Sequence, residues 1–360
     1  MIFKKGELFS GAGGLSLGAQ LAEVISSSGE VYKIEHEWAS DFDKWACDSF
    51  RLNLCPDRPE TVVEKDVRDL DIESLDPIDG FSFGFPCNDF SVVGKHKGFD
   101  GEYGPLYSYG VKVLKIHRPK WFVAENVGGL ASANQGKAFM KILDDLENEG
   151  YTLTPHLYKF QEYGVPQTRH RIIVVGIRDN IGIKYKVPRP THNGIDTPFV
   201  NVKTALEGIP ENATNNELTR HSAKVKKMLS YIPPGENAWY EGIPEELRLN
   251  VKGARMSQIY RRLHPDYPSY TITGSGGGGT HVYHYDEERA LTNRERARLQ
   301  TFPDHFQFVG PKEQVRKQIG MAVPVEGAKA IFEAILKTFA GIEYESVKNN
   351  IERKAKISLF

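Results

Sequence analysis

The segment Gly84-Phe85-Pro86-Cys87-Asn88 sets a thiol directly after a proline, at the end of the apolar run Gly80 to Phe85. A cysteine is more often a small buried hydrophobe than a reactive group. Here a strand would stop at Pro86, so Cys87 would stand at a sheet tip, where a lowered pKa turns a thiol into a nucleophile. Cys47 and Cys55 lack that setting and read as structural. Gly94, Gly98, Gly101 and Gly104 follow Cys87 and would let the segment move over a substrate. A second apolar run, Trp121 to Ala124, ends in Glu125-Asn126-Val127 and brings a carboxyl to another strand tip, able to act as an acid or to hold a base by its polar edge. Gln167-Thr168-Arg169-His170-Arg171 enters the run Ile172 to Val175. Strand alternation would point Arg169 and Arg171 to one side, where two guanidinium groups suit a carbonyl oxygen or phosphates; solvated charges at a sheet edge would read the same way.

A second set of residues suits a nucleoside-like ligand. Phe9-Ser10-Gly11-Ala12-Gly13-Gly14 places glycines between an apolar strand and a helix, where backbone N–H groups can approach a ligand closely. By itself the pattern is equally a plain strand-to-helix turn. Asp41, after the next strand, can accept from ribose hydroxyls while Phe42 stacks on a purine, and Asp66, after a third, can take an adenine amino group. Each acid alone is an ordinary surface charge; one per strand end, in this order, favours binding. The chain has no GxxxxGK[ST] phosphate loop, which argues against an ATPase.

These residues need a parallel sheet to bring them together. Residues 1 to about 180 alternate accordingly: an apolar start to Phe9, a helix from Gly14 to about Ile25, a strand at Val31 to Ile34 and a helix from Phe42 to Leu54. Strands are predicted at Gly80 to Phe85, Trp121 to Ala124 and Ile172 to Ile177, with helices at Tyr107 to His117 and Gly136 to Glu149. This is the rhythm of a doubly wound α/β sheet, whose ligands sit at strand C-terminal ends. Near Pro188 the rhythm stops, and about a hundred residues rich in Pro, Gly and Asn follow, up to the run Gly274 to Gly279. Helical patterns return at Asn293 to Gln300, Lys312 to Gln318 and Glu326 to Phe339. The expected division is therefore 1–188 with 289–360 as one domain and 189–288 as a smaller, irregular second one.

Composition narrows the class. The chain has 360 residues, two-fifths of them apolar, a formal net charge of −1 and three cysteines without a CxxC pair. Reduced thiols, no zinc site and no disulfide framework follow. No apolar run approaches a membrane span, and the start Met1-Ile2-Phe3-Lys4-Lys5-Gly6 lacks a secretory stretch, so a cytoplasmic protein is expected. The near-zero charge carries no global sign of nucleic acid. A local excess of lysine and arginine between residues 181 and 270, with Lys224, Lys226 and Lys227 together, is the one electrostatic hint.

Taken in order, these motifs resemble those of the bacterial cytosine-5 DNA methyltransferase family over nearly the whole chain. Phe9 to Gly14 resembles the cofactor loop, Gly84 to Cys87 the nucleophile segment, Glu125-Asn126-Val127 the carboxylate motif and Gln167 to Arg171 the paired-arginine motif. Arg262 to Thr273 is similar to the motif that packs the recognition domain, Leu291 to Pro303 to its connecting helix, and Gln318-Ile319-Gly320 to the start of the last cofactor motif. The resemblance implies an S-adenosylmethionine-dependent methyltransferase fold with a target-recognition domain. It implies Phe9, Gly11, Gly13, Gly14, Asp41, Phe42, Asp66, Val67, Pro86, Leu106, Met321 and Ala322 as cofactor residues. It also implies that Cys87 adds to C6 of a cytosine flipped out of double-stranded DNA, with Glu125 at N3 and the amino group and the arginines, Arg171 near O2, in support. A monomer working beside a cognate restriction endonuclease is the family's pattern. Two positions depart from it: Asn88 stands where Gln is usual, and Met321 where Asn is usual, which predicts weaker cofactor binding. The alternatives are an RNA methyltransferase of the same fold acting on tRNA, and a catalytically silent DNA-binding relative.

Overall fold

The computed structural model describes residues 1–85, 106–127, 136–250 and 256–351. Pro86, Cys87, Asn88 and the glycine-rich segment after them lie outside the described residues. The elements begin with β1 (Ile2–Leu8), α1 (Gly14–Gln20), β2 (Glu23–Ile25), β3 (Val31–Asp41), α2 (Lys44–Leu54), β4 (Val62–Glu64), β5 (Gly80–Gly84), α3 (Tyr107–His117), β6 (Trp121–Val127) and α4 (Lys137–Asn148). Next come β7 (Tyr151–Lys159), β8 (Gln167–Thr168), β9 (His170–Arg178) and β10 (Val187–Pro188), then α5 (Val202–Leu206), α6 (Ala223–Leu229), β11 (Ser269–Tyr270), α7 (Asn293–Leu299), α8 (Lys312–Met321), α9 (Val325–Ala340) and β12 (Ser346–Val347).

The chain forms two compact units, one of residues 1–159, 170–190 and 328–360, the other of residues 160–169 and 191–327. The first is the expected doubly wound sheet, with strand order β2-β3-β1-β5-β6-β9-β7 and β4 paired to β3. Strands β4, β3, β1, β5 and β6 run parallel; β9 is antiparallel to β6, and β7 pairs antiparallel with β9 and so runs with the parallel set. The chain winds from β1 outward to β3 and later returns to add β5 on its other side, so a switch point opens at the C-terminal end of β1, where such sheets bind ligands. The core packs Phe81, Phe83, Phe122 and Val113, all fully buried. At roughly 25 cal/mol per Å2 of apolar surface, each such ring contributes a few kcal/mol.

Two strands depart from the expected pattern. The predicted helix to Ile25 stops at Gln20, and Glu23–Ile25 pairs antiparallel with β3. Strand β7 was not predicted, because Pro155 interrupts its alternation; the strand pairs with β9 alone, and a sheet edge tolerates a residue without an N–H. Lys5 and Glu7, on central β1, are buried as an ion pair at 2.6 Å, and the Lys5 ammonium also donates to Ser16 and Ser82 at 2.9 and 2.8 Å.

The second unit is irregular, as its Pro, Gly and Asn content predicts, but its bounds differ from 189–288. Residues 160–169 join it through β8, which pairs with β11, and residues 289–327 join it because α7 lies among the side chains of this unit. Leu291 and Leu299 are buried with Val202, Leu263 and Ile272. The returning helices are expected in the first domain; residues from 328 onward do join the first unit, whereas α7 and α8 fall in the second.

Candidate functional site

The glycine loop after β1 is shaped by its backbone. Gly11 and Gly13 take left-handed φ of 54° and 95°, and a Cβ on Gly13 would lie 2.2 Å from Leu54 and 2.9 Å from Phe50. Phe9 also has a positive φ, 56°, a conformation that costs a side-chain-bearing residue on the order of 1 kcal/mol and clusters at functional sites. Asp41, at the tip of β3, holds the loop: Gly11 N–H donates to its Oδ2 at 2.8 Å and Asp43 N–H to its Oδ1 at 2.9 Å.

An open cleft of about 100 Å3 lies at these strand ends, lined by Phe9, Asp41, Phe42, Asp66, Val67 and Leu106 together with Lys65 and Arg68. Six of the residues expected around a cofactor therefore share one cavity. Phe42 is two-thirds exposed at the cleft. Asp66 caps a short turn through Arg68 N–H at 2.9 Å and forms a two-point ion pair with the Arg68 guanidinium at 2.8 and 2.6 Å, which holds its carboxyl down at about 2. Arg68 was not anticipated; only the three-dimensional turn brings its charge onto Asp66.

Glu125 and Arg171 meet on neighbouring antiparallel strands, β6 and β9, with Arg171 Nε 2.9 Å from Glu125 Oε1. Both side chains keep about 15% exposure. Arg171 Nη1 donates to His170 O at 2.8 Å, and no bond is found at Nη2 among the described residues. Asn126, which is buried, donates to Phe85 O at 3.1 Å and accepts from Val127 N–H at 2.8 Å, tying β6 to the last described residue before Pro86-Cys87. Nothing in its residue type distinguished Asn126 beforehand, because its role depends on a carbonyl 41 positions away.

Arg169 does not pair with Arg171 as strand alternation predicted. It falls in the break between β8 and β9, belongs to the second unit, and is 1% exposed. Its Nη1 and Nη2 donate to Ile272 O and Gly320 O, each at 3.0 Å. Gln167 completes the junction, accepting from Ile272 N–H at 2.8 Å and donating to Leu299 O at 3.0 Å. Gly320 is required there, since a Cβ would lie 2.0 Å from Gly274 N. Arg169 is thus a buried brace across three segments. Arg262 does the same elsewhere in the unit, donating to the carbonyls of Leu229, Ile232, His284 and Tyr285.

Met321 ends α8 and is 70% exposed, with Ala322 half-buried after it. Cys47 and Cys55 are buried, and burial pushes the Cys47 thiol up to about 12, the opposite of activation. Among the described residues no His, Cys, Asp and Glu group could hold a metal, and no helix is long and apolar enough to cross a membrane.

Over 357 residues the chain is 64% identical to the Type II methyltransferase M.BbvI of Brevibacillus brevis, covering 97% of this chain and 95% of that one. It is 45% identical over 349 residues to the Type II methyltransferase M.NgoFVII of Neisseria gonorrhoeae, with 94% and 88% covered. Among solved structures, the S. pombe Dnmt2 methyltransferase superposes with a TM-score of 0.61 at 18% identity over 93% of this chain and 98% of that one, a likeness of fold. The sequence model of the C-5 cytosine-specific DNA methylases matches residues 3–337, and the chain belongs to that family.

Proposed function

We propose that this DNA (cytosine-5-)-methyltransferase binds S-adenosylmethionine in the cleft at the ends of β1, β3 and β4, and that Cys87, Glu125 and Arg171 act on a cytosine flipped out of a specific duplex site. The observation that carries the reading is the Glu125–Arg171 ion pair at the tip of β6 and β9, tied through Asn126 to the strand that leads into Cys87. The cleft suits the cofactor in its donor set: Asp41 for hydroxyls, Asp66 for an amino group, and apolar Phe9, Phe42, Val67 and Leu106 for a purine. When bound, the cofactor supplies a methyl group made electrophilic by its sulfonium.

The protein's own residues must make cytosine C5 a nucleophile, because the ring is too electron-poor unaided. The Cys87 thiolate forms a bond to C6, and the C5–C6 π pair moves onto C5. Glu125 holds N3 and the amino group, and Arg171 lies near O2, stabilising the negative charge that develops in the ring. After methyl transfer, loss of the C5 proton to a base returns an electron pair to the ring, restores the double bond and expels the thiolate. The target must leave the helix first, at a cost of a few kcal/mol recovered from protein contacts.

Arg169 enters as a positioning residue rather than a reacting one. We further assign target recognition to the second unit, and Met321 and Ala322 to the cofactor's surroundings. A monomer acting in the cytoplasm beside a restriction endonuclease fits the Type II relatives.

The test is covalent trapping. Duplex DNA carrying 5-fluorocytosine at the target should give a complex that survives denaturation, since fluorine cannot leave as a proton does, and Cys87→Ser should give none. Bisulfite sequencing of plasmid from expressing cells locates the site for that substrate. Full methylation by Cys87→Ser, or transfer to tRNA and not to duplex DNA, would overturn the reading.

A further inference from the structure

The second unit contains a small pocket onto which Arg296, Arg316, Lys312 and His281 converge. Arg296 lies mid-way along α7 and is 2% exposed. Its neighbours on the helix are fully engaged: Arg294 donates to the carbonyls of Thr214, Pro303 and Phe306, and Arg298 pairs with Asp304 at 2.5 Å. For Arg296 the described residues provide one long contact, Nη2 to His281 Nδ1 at 3.4 Å. Glu295 beside it is committed to Arg289, with two contacts of 2.8 Å, and to Thr292 N–H at 2.7 Å.

Arg316, on α8, is equally unbalanced. Its Nε is buried without a hydrogen-bond partner, and the nearest carboxylate oxygen, on exposed Glu313, is 4.0 Å from Nη2. Lys312 adds a third cation, whose Nζ donates to Leu218 O at 3.0 Å. Exposed Glu217 also lines the pocket, but it makes no ion pair with these cations. Burial, with Arg316 adding to it, lowers Arg296 to about 10, so its guanidinium stays charged at neutral pH. His281, pushed down to about 4 by burial and by Arg296, is neutral and can only accept from it.

A buried charge without a counter-charge is costly, and a pair of them more so. The chain leaves that cost standing at a small pocket open to solvent. Guanidinium forks match phosphate oxygens. We infer that Arg296 and Arg316 form an anion site that takes one phosphate-type oxyanion, presented by the DNA backbone or by free inorganic phosphate. Only the DNA source rests on the function proposed above.

Arg296→Gln and Arg316→Gln test this in the full-length protein. At constant ionic strength, inorganic phosphate well above its Kd should raise the wild-type Tm by a few degrees, and neither variant should respond. Without phosphate Arg296→Gln should melt no lower than wild type, because it removes a buried charge with no counter-charge, and Arg316→Gln gives up only the 4.0 Å contact with exposed Glu313. In the second arm, the slope of log K against log salt for duplex DNA should fall by about 0.9 in the variants if a backbone phosphate occupies the site. A lost phosphate response with an unchanged slope assigns the site to the free ion. A phosphate response that survives both substitutions, or a wild-type Tm indifferent to phosphate together with unchanged slopes, overturns the inference.

Discussion

Replacing Asp41 with asparagine separates a cofactor-binding carboxylate from an incidental surface charge. Two amide donors converge on this side chain, Gly11 N–H on one oxygen and Asp43 N–H on the other. Asparagine keeps one acceptor and turns an NH2 toward the other amide, donor against donor. One charge-assisted hydrogen bond is lost, worth about 1.5–3 kcal/mol. The glycine loop keeps two other tethers, Ser10 N–H to Ser40 O at 3.2 Å and Gly13 N–H to Ser10 O at 3.0 Å, so it loosens without unfolding. If the loss falls on the bound state, Kd for S-adenosylhomocysteine rises by about 10- to 150-fold. Isothermal titration calorimetry measures this directly, and a denaturant titration of the same variant finds any part that falls on folding instead. An Asp41→Asn protein that binds within two-fold of wild type would refute the assignment of Asp41 and of the loop it holds.

Arg169→Met should lower stability by about 3 kcal/mol, read from urea unfolding, because it strands the carbonyls of Ile272 and Gly320. Activity well below the midpoint should largely persist, whereas abolished activity at unchanged stability would make Arg169 a reacting group. Lys5→Met should cost about 3–5 kcal/mol by leaving Glu7 buried and unpaired, and Lys5→Met with Glu7→Leu should recover most of it; additive losses would contradict the coupling. Burial holds His156 down to about 4, so between about 6.5 and 4 the unfolded chain binds a proton that the folded one refuses. Stability is then complete above about 6.5 and falls by up to about 1.4 kcal/mol per pH unit below it, a slope that His156→Gln should reduce in urea titrations. Met321→Asn should tighten cofactor binding in calorimetry; unchanged affinity would remove Met321 from the cofactor's surroundings.

The sequence by itself determined the architecture of the first unit and the identity of most groups in its cleft. Strand and helix periods are local, so β1, β5, β6 and the helices between them could be read from neighbouring residues, and a parallel sheet necessarily gathers Phe9, Asp41 and Asp66 at one edge. Glu125 and Arg171 were legible for the same reason, as charges at the ends of apolar runs. Tertiary structure alone decided whom these charges met. It gave Arg169 to Ile272 and Gly320 rather than to Arg171, made Asn126 the tie to Phe85, and left Arg296 buried without a carboxylate between two fully engaged arginines on one helix. A side chain's period specifies its face; its partner comes from another part of the chain, and the hydrogen bonds and desolvation that determine its chemistry exist only once that part has packed against it.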